Sequence, residues 1–163
     1  MSEKTEDMIE MTVPCKPEYV RTARRAVAEF ARAASVPKPA VDEIEIAAGE
    51  AVTNIVRHAY VGRERSLPIK VKCTGADDRF TVEVIDKGSG FDPAVVDVPE
   101  PTDFDREGGL GIVIIRGLMD QVEYSSRPNR GTRVRMTKLP PGHSGSAKPA
   151  PSATSRQLTS AAR

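Results

Sequence analysis

The chain has 163 residues, enough for one domain with a substantial core. Its 24 basic and 23 acidic residues leave a net charge of only +1, which argues against a nucleic-acid-binding protein and against a protein held on an anionic membrane. Aromatic residues make up 4% of the chain and tryptophan is absent, so surfaces that stack nucleic-acid bases are not expected either.

The cysteines and the N-terminal segment indicate the compartment. Cys15 and Cys73 form no CxxC or CxxH pair, and two free thiols in a reducing cytoplasm are a simpler interpretation than a disulfide between them. With two histidines in the chain, a Cys/His metal site is not expected. The segment MSEKTEDMIE is too acidic for a secretory signal, and no apolar run reaches membrane-spanning length. We therefore expect a cytoplasmic protein with no membrane partner.

In the first half, the spacing of apolar residues predicts one strand and two helices. Their ranges are a strand over residues 8–13, a helix over 18–34 and a helix from Pro37 and Pro39 to about Tyr60. Pro14 and Pro17 end the strand. The first helix carries four arginines, which we expect on a solvated face: Arg21, Arg24, Arg25 and Arg32.

The second half alternates between strands and glycine-rich segments. The predicted elements are strands over 67–74 and 80–86 joined by a hairpin turn at 76–79, a loop over 93–106, a helix over 112–119, and a closing strand pair over 121–126 and 132–138. By composition alone, 112–119 also fits a buried strand, but the glycines before it and Asp120 after it favour a helix. The domain is expected over residues 8–139, after an extension of residues 1–7 and before a disordered tail, residues 140–163, rich in Pro, Ser and Ala.

A polar row lies on the second predicted helix. Glu50, Asn54 and His58 are spaced four residues apart, so they lie above one another along the flank of the apolar face. Alone, such a row is typical of a solvated flank. Its carboxylate, amide and imidazole are also suited to a binding or catalytic site that is partly shielded from water.

Two glycine motifs follow the polar row. Asp86-x-Gly88-x-Gly90 comes after a predicted strand, and Gly108-Gly109-Leu110-Gly111 comes before a predicted helix. Each alone is explained by a tight turn or a helix cap. A Walker loop is excluded because no Gly-Lys-Ser/Thr follows, and a dinucleotide fingerprint is excluded because the βαβ spacing is absent.

Together, the order and spacing of the three motifs resemble the ATP-binding domain shared by gyrase, Hsp90, histidine kinases and MutL. The finer pattern is similar to the anti-sigma factor serine kinases of bacterial partner-switching systems. That pattern comprises Glu50-Ala-Val-x-Asn54-x-x-x-His58-Ala-Tyr60, Asp86-Lys-Gly-Ser-Gly-Phe91-Asp92, Arg106-Glu-Gly-Gly-Leu-Gly111 and Leu118-Met119-Asp120. The resemblance covers residues 8–139 and implies an α+β, two-layer sandwich of the Bergerat type, with a mixed, mostly antiparallel sheet covered by helices on one face.

The resemblance also implies ATP and Mg²⁺ as cofactors and a role for most motif residues. Glu50 is implied as the base that accepts a proton from the attacking hydroxyl, and Asn54 as the Mg²⁺ ligand, which suits the amide oxygen chemically. Asp86 is expected to bind the adenine amino group, and Thr132 to lie on the adenine side, acting through water. Gly88 and Gly90 let the backbone approach the nucleotide closely. Gly109 and Gly111 place backbone N–H groups at a helix N-terminus that suits the phosphates, and the motif implies that Gly108 and Leu110 also contact ATP.

Three further residues keep alternatives open. His58 is either a phosphate contact or a packed, hydrogen-bonded histidine. Arg106 either neutralises the γ-phosphate or is an ordinary surface arginine. Phe91 fits the core better than an adenine stack.

The resemblance implies a serine protein kinase that binds a sigma factor and phosphorylates an anti-anti-sigma antagonist, as a homodimer. The alternative is a nucleotide-regulated sequestering module without significant kinase turnover. A histidine-kinase fragment is less suitable, because neither His58 nor His143 lies on a predicted helical hairpin, and a gyrase-like ATPase would need a further domain.

Overall fold

The computed structural model describes residues 6–62, 67–90 and 109–142. In chain order, its helices and strands are β1 (Asp7–Val13), α1 (Val20–Ala33), α2 (Lys38–His58), β2 (Ile69–Ala76), β3 (Arg79–Ile85), α3 (Gly109–Leu118), β4 (Gln121–Arg127) and β5 (Gly131–Lys138). Every predicted helix and strand is confirmed, with boundaries shifted by a few residues, and a 3-10 turn over Pro17–Tyr19 precedes α1. The predicted loop over 93–106 and the tail beyond residue 142 lie outside the described residues.

The five strands form one sheet in the order β1-β2-β3-β5-β4, and each pairing among the described strands is antiparallel. One row of partners crosses the whole sheet: Met11, Val71, Val84, Val134 and Tyr124. These apolar side chains share one face, because alternate residues of a strand point to the same side. That face carries the core.

The helices cover this apolar face, and the opposite face of the sheet carries charges. There the Lys70 ammonium lies 2.9 Å from the Glu10 carboxylate across β1 and β2. Arg133 of β5 pairs with the Glu83 carboxylate of β3. A sheet with one apolar and one charged face, covered by helices on the apolar side, is the two-layer α+β architecture expected from the sequence.

Helix α2 begins at a proline pair and runs beneath α1 and beside α3. Pro37 caps it and Pro39 occupies its first turn, where no backbone N–H is required. Its buried residues are Val41, Ile44, Ala47, Ala48, Gly49, Ala51, Val52 and Ile55. The many alanines and the glycine let neighbouring elements approach closely. In the described part of the chain, no helix is both long and apolar enough to cross a membrane.

The four arginines of α1 differ in exposure. Arg24 is half-buried, with its side chain 41% exposed, and that side chain lies against α2. The position that a Cβ would take at Gly49 is 3.3 Å from the Arg24 Cδ atom, and the guanidinium Nε lies 3.7 Å from the Glu45 carboxylate. Arg21, Arg25 and Arg32 are exposed as expected. A long aliphatic stem can cover a neighbouring helix while part of the side chain stays in water, and helical periodicity does not report such a contact.

Helices α2 and α3 run antiparallel to one another. The Lys138 ammonium lies 2.6 Å from the Glu43 carboxylate near the start of α2, and it donates a 2.7 Å hydrogen bond to the carbonyl oxygen of Leu118 at the end of α3. At the other end of the pair, Gly111 of α3 lies against Glu50 and Asn54 of α2. The fold thus brings the polar row next to the second glycine motif.

Candidate functional site

The polar row lies on the second half of α2, as predicted, but its three members differ in exposure. Glu50 and Asn54 are half-buried, whereas His58 is exposed as the last residue of the helix. Among the described residues, no contact of His58 supports the alternative of a packed, hydrogen-bonded histidine. A phosphate contact by His58 stays a prediction.

Gly111 brings two side chains of the row to one point. The position that a Cβ would take at Gly111 lies 3.0 Å from both Glu50 Oε2 and Asn54 Oδ1. Gly111 itself is buried, and the absence of a side chain there leaves room for the ends of the Glu50 and Asn54 side chains. A carboxylate, an amide oxygen and the first turn of a helix therefore meet within one small volume.

The first turn of α3 supplies the backbone for an anion site. The helix begins at Gly109, so the N–H groups of its first turn have no partners within the helix. These groups and the helix dipole favour a negatively charged ligand such as a phosphate. Leu110 is 55% exposed. Gly108 and Arg106, predicted to complete this part of the site, lie outside the described residues, as does Phe91.

Asp86 lies at the end of β3, on the side of the sheet that the helices cover. It is 3% exposed, and its Oδ1 atom accepts a 2.6 Å hydrogen bond from the N–H of Gly88. Its own N–H donates to the carbonyl oxygen of Thr132 at 2.9 Å. Thr132 in turn shares a 3.0 Å hydrogen bond with the hydroxyl of Ser126. Asp86, Gly88 and Thr132 thus lie together in the described structure.

Two groups that the sequence did not single out fix this end of the site. The Tyr60 hydroxyl accepts a 3.3 Å hydrogen bond from the N–H of Lys87, which ties the end of α2 to the turn after β3. At Gly131, a Cβ would lie 2.1 Å from the carbonyl oxygen of Asp86, so β5 approaches too closely for any side chain there. Tyr60 belongs to the quoted motif, but nothing in its spacing indicates this contact.

The same turn also contacts the β4–β5 hairpin. The N–H of Asn129 donates to the carbonyl oxygen of Ser89 at 2.5 Å. Gly90 has a positive φ of 63°, and a Cβ there would lie 2.1 Å from the carbonyl oxygen of Arg127. The Asp-x-Gly-x-Gly turn is therefore held between α2 and the hairpin, which gives the site a rigid wall.

Burial and the charge of Asp86 act on two neighbouring groups. Burial raises the pKa of the Tyr60 hydroxyl, the Lys87 N–H that donates to it acts in the opposite direction, and the Asp86 charge raises it further. Burial also raises the pKa of the Cys15 thiol, and the negative charge of Asp86 adds to that effect. Both groups are therefore neutral at physiological pH.

The donors on α2 suit a magnesium ion that takes most of its ligands from phosphate and water. Within residues 6–62, 67–90 and 109–142 there is no cluster of three or more His, Cys, Asp or Glu side chains able to hold a metal. The oxygens of Asn54 and Glu50 meet beside Gly111, next to the anion site of α3. One or two hard oxygen donors beside a phosphate site are the usual protein contribution to Mg²⁺ binding.

Comparison with known proteins agrees with this geometry. The family model of the histidine kinase-like ATPase domain matches residues 13–138. A serine-protein kinase RsbW from Staphylococcus aureus is 36% identical over 140 residues, covering 82% of this chain and 87% of that protein. The RsbW proteins of Bacillus pumilus (35% identity, 83% and 88% coverage) and Listeria monocytogenes (36%, 81% and 87%) match similarly.

Among solved structures, the histidine kinase domain from the Erythrobacter litoralis EL346 blue-light activated histidine kinase aligns with a TM-score of 0.49 at 18% identity, covering 74% of this chain and 60% of that one. The family model and the curated relatives extend over most of the chain and include α2, the Asp86 turn and α3. The chain therefore belongs to the histidine kinase-like ATPase family and, within it, to the family of the RsbW serine-protein kinases.

Proposed function

We propose that this chain is an ATP- and Mg²⁺-dependent serine-protein kinase of the cytoplasm that phosphorylates an anti-anti-sigma protein and sequesters a sigma factor. The observation that carries the proposal is the meeting of Glu50 Oε2 and Asn54 Oδ1 at Gly111, each 3.0 Å from its Cβ position. A base, a metal ligand and a phosphate site are the parts that phosphoryl transfer requires. The RsbW relatives are named as kinases of this class.

In the proposed reaction, Glu50 takes the proton of a serine hydroxyl as the serine oxygen bonds to the γ-phosphorus. The bond from that phosphorus to the β–γ bridging oxygen breaks, and ADP leaves. Asn54 would hold Mg²⁺, which neutralises charge on the phosphates when bound. The first-turn N–H groups of α3, at Gly109 to Gly111, stabilise the phosphate oxygens from the other side.

At the opposite end of the site, Asp86 is proposed to accept a hydrogen bond from the adenine amino group. Its support is a buried carboxylate whose orientation is fixed by the Gly88 N–H at 2.6 Å. Thr132 and Gly90, beside that carboxylate, are proposed to contact the base side of the nucleotide. His58 and Arg106 are proposed as further contacts to the phosphates.

Phosphorylation of the antagonist would place about two negative charges at the contact and weaken it. Unphosphorylated antagonist and sigma factor are then alternative partners. The proposed assembly is a homodimer.

The test is the transfer of label from γ-labelled ATP to the purified anti-anti-sigma proteins that the same genome encodes, with the modified serine located by mass spectrometry. Glu50→Gln is expected to retain ATP binding and to lose transfer by at least about a hundredfold, because general-base catalysis contributes that much. Asp42→Asn is the matched control, since Asp42 is an exposed carboxylate on the same helix that pairs with Lys38.

Two results would reject parts of the proposal. Full transfer by Glu50→Gln would refute the base assignment. The absence of transfer to any of these proteins, with ATP and sigma-factor binding intact, would instead support the nucleotide-regulated sequestering module.

A further inference from the structure

Helix α3 is apolar on almost every side, yet the described structure encloses little of it. Its sequence is GLGIVIIRGL, with Arg116 as its single charged residue. Of residues 110–118, only Gly111 and Ile115 are buried, and the Leu110 side chain is 55% exposed. Helices that are apolar all round are usually enclosed. Part of this helix is therefore available to a partner.

Helix α2 contributes a second exposed aliphatic side chain close by. Ile46 is 47% exposed, although Val41, Ile44, Val52 and Ile55 of the same helix are buried. Ile46 precedes Glu50 by four residues, so it lies about one helical turn, or about 5.4 Å, from it on the same side of α2.

The antiparallel packing of the two helices places both exposed side chains along one seam. Gly111 lies against Glu50, so its neighbour Leu110 is at the level of that carboxylate. Lys138 contacts Glu43 and the Leu118 carbonyl, so Ile46 is level with the middle of α3. By this register Leu110 is level with the Glu50 carboxylate and Ile46 is about one turn before it, and we call these two residues the seam surface.

We propose that the seam surface docks the serine-bearing segment of the protein substrate, through an apolar side chain next to the serine. This inference rests on the proposed kinase function. A base acts only on a hydroxyl within about 2.6–3.2 Å, so a protein substrate of Glu50 has to cover the surface around that carboxylate. Ile46 and Leu110 supply exposed aliphatic surface there, and burying an aliphatic partner side chain on them stabilises the complex. A second copy of the chain seated there would instead block the base.

The experiment measures phosphorylation kinetics of the full-length chain with the anti-anti-sigma protein as substrate and ATP at saturation. Ile46→Gln is expected to raise the KM for the protein substrate about tenfold, corresponding to the loss of one buried aliphatic contact. Its Kd for ATP is expected to stay within about twofold, because Ile46 is an exposed side chain about one turn before Glu50 and is not among the residues assigned to the nucleotide. Ile46→Leu is expected to restore the wild-type KM.

Met8→Gln is the matched control, because Met8 is 57% exposed on β1, away from the seam. If Ile46→Gln has an unchanged KM for the protein substrate and the wild-type protein is active, docking at the seam surface is refuted. The proposed kinase function is not affected by that result. A rise in the Kd for ATP equal to the rise in KM would also overturn docking at the seam surface, because Ile46 would then act through the nucleotide site. If the wild-type chain phosphorylates none of these proteins, the kinase function fails and the docking proposal fails with it.

Discussion

Gly88 and Ala59 lie so close together that the turn after β3 rests directly on the end of α2. A Cβ at Gly88 would lie 2.2 Å from the carbonyl oxygen of Ala59 and 2.8 Å from the Ala59 Cβ atom. The same carbonyl accepts a 2.9 Å hydrogen bond from the N–H of Ser89. Since Glu50 and Asn54 lie on α2 and Asp86 begins the turn, this contact fixes the two ends of the candidate site relative to each other.

Gly88→Ala is therefore expected to affect both stability and ligand binding. A methyl group there meets backbone atoms, so the free energy of unfolding should fall by about 1–3 kcal/mol. The 2.6 Å hydrogen bond from the Gly88 N–H to Asp86 would be displaced as well, and ATP affinity should drop. Urea unfolding and nucleotide titration measure the two effects.

The matched control is Gly117→Ala on α3, where a Cβ would have no other atom within 4 Å. This change should leave ATP binding intact and raise stability by up to about 1 kcal/mol, because alanine favours a helix over glycine. A Gly88→Ala protein as stable as Gly117→Ala would show that the turn moves away from Ala59 without cost.

Gly111→Ala is expected to separate stability from function. The atoms that its methyl group meets, at 3.0 Å, are the ends of the Glu50 and Asn54 side chains, which can rotate away. The free energy of unfolding should change by less than about 1 kcal/mol, whereas kcat for phosphoryl transfer should fall about a hundredfold through misplacement of both groups. Steady-state kinetics and urea unfolding of the same preparation test this. Loss of stability with kcat preserved would contradict it.

Lys138→Met should destabilise the contact between the ends of α2 and α3. The Lys138 side chain is 16% exposed and contacts both Glu43 at 2.6 Å and the Leu118 carbonyl at 2.7 Å. Removing the ammonium leaves the Glu43 carboxylate and the C-terminal end of α3 without their cation. The free energy of unfolding is therefore expected to fall by about 1–3 kcal/mol.

Lys38→Met provides the comparison, because its ion pair with Asp42 is at the surface, with the lysine 84% exposed. Exposed pairs of this kind contribute about 0.5 kcal/mol or less. Equal losses in the two variants, measured by thermal and urea unfolding, would argue that Lys138 does not hold α3 in place.

Local sequence pattern predicted the elements, and the family resemblance proposed the members of the candidate site. Alternation over Ile69, Val71 and Cys73 indicated β2 because one face of that strand is buried. The four-residue spacing of Glu50 and Asn54 placed them on one flank of α2 because helical geometry requires it. For residues 112–119, composition fitted a helix and a buried strand equally, and only the flanking glycines and Asp120 favoured the helix.

Contacts between distant segments could not be read from the sequence. The contacts of Tyr60 with Lys87 and of Arg24 with Gly49 join elements whose relative position depends on the packed core. The buried position of Gly111 against Glu50 likewise depends on how α3 docks on α2. Periodicity reports which side of an element is apolar, but it does not report which element covers that side.

The buried thiol of Cys73 predicts a loss of stability at alkaline pH. Cys73 is 0% exposed, and burial raises its pKa from 9.0 to about 12. Above pH 9.0 the unfolded chain releases a proton that the native protein retains, so the free energy of unfolding decreases as pH rises from 9.0 to about 12. Below that window the thiol is protonated in both states and contributes no pH dependence.

The comparison with Cys73→Ala isolates this effect. Tyr60, Tyr124 and Cys15 also have raised pKa values, but they are present in both proteins. Between about pH 8 and about pH 10, the wild-type protein should lose about 1 kcal/mol more than the variant in urea unfolding, since each pKa unit corresponds to about 1.4 kcal/mol. If the free energy of unfolding has the same pH dependence in the two proteins, the Cys73 thiol ionises equally in the folded and unfolded states. That result would mean that water reaches the thiol on β2 in the folded protein.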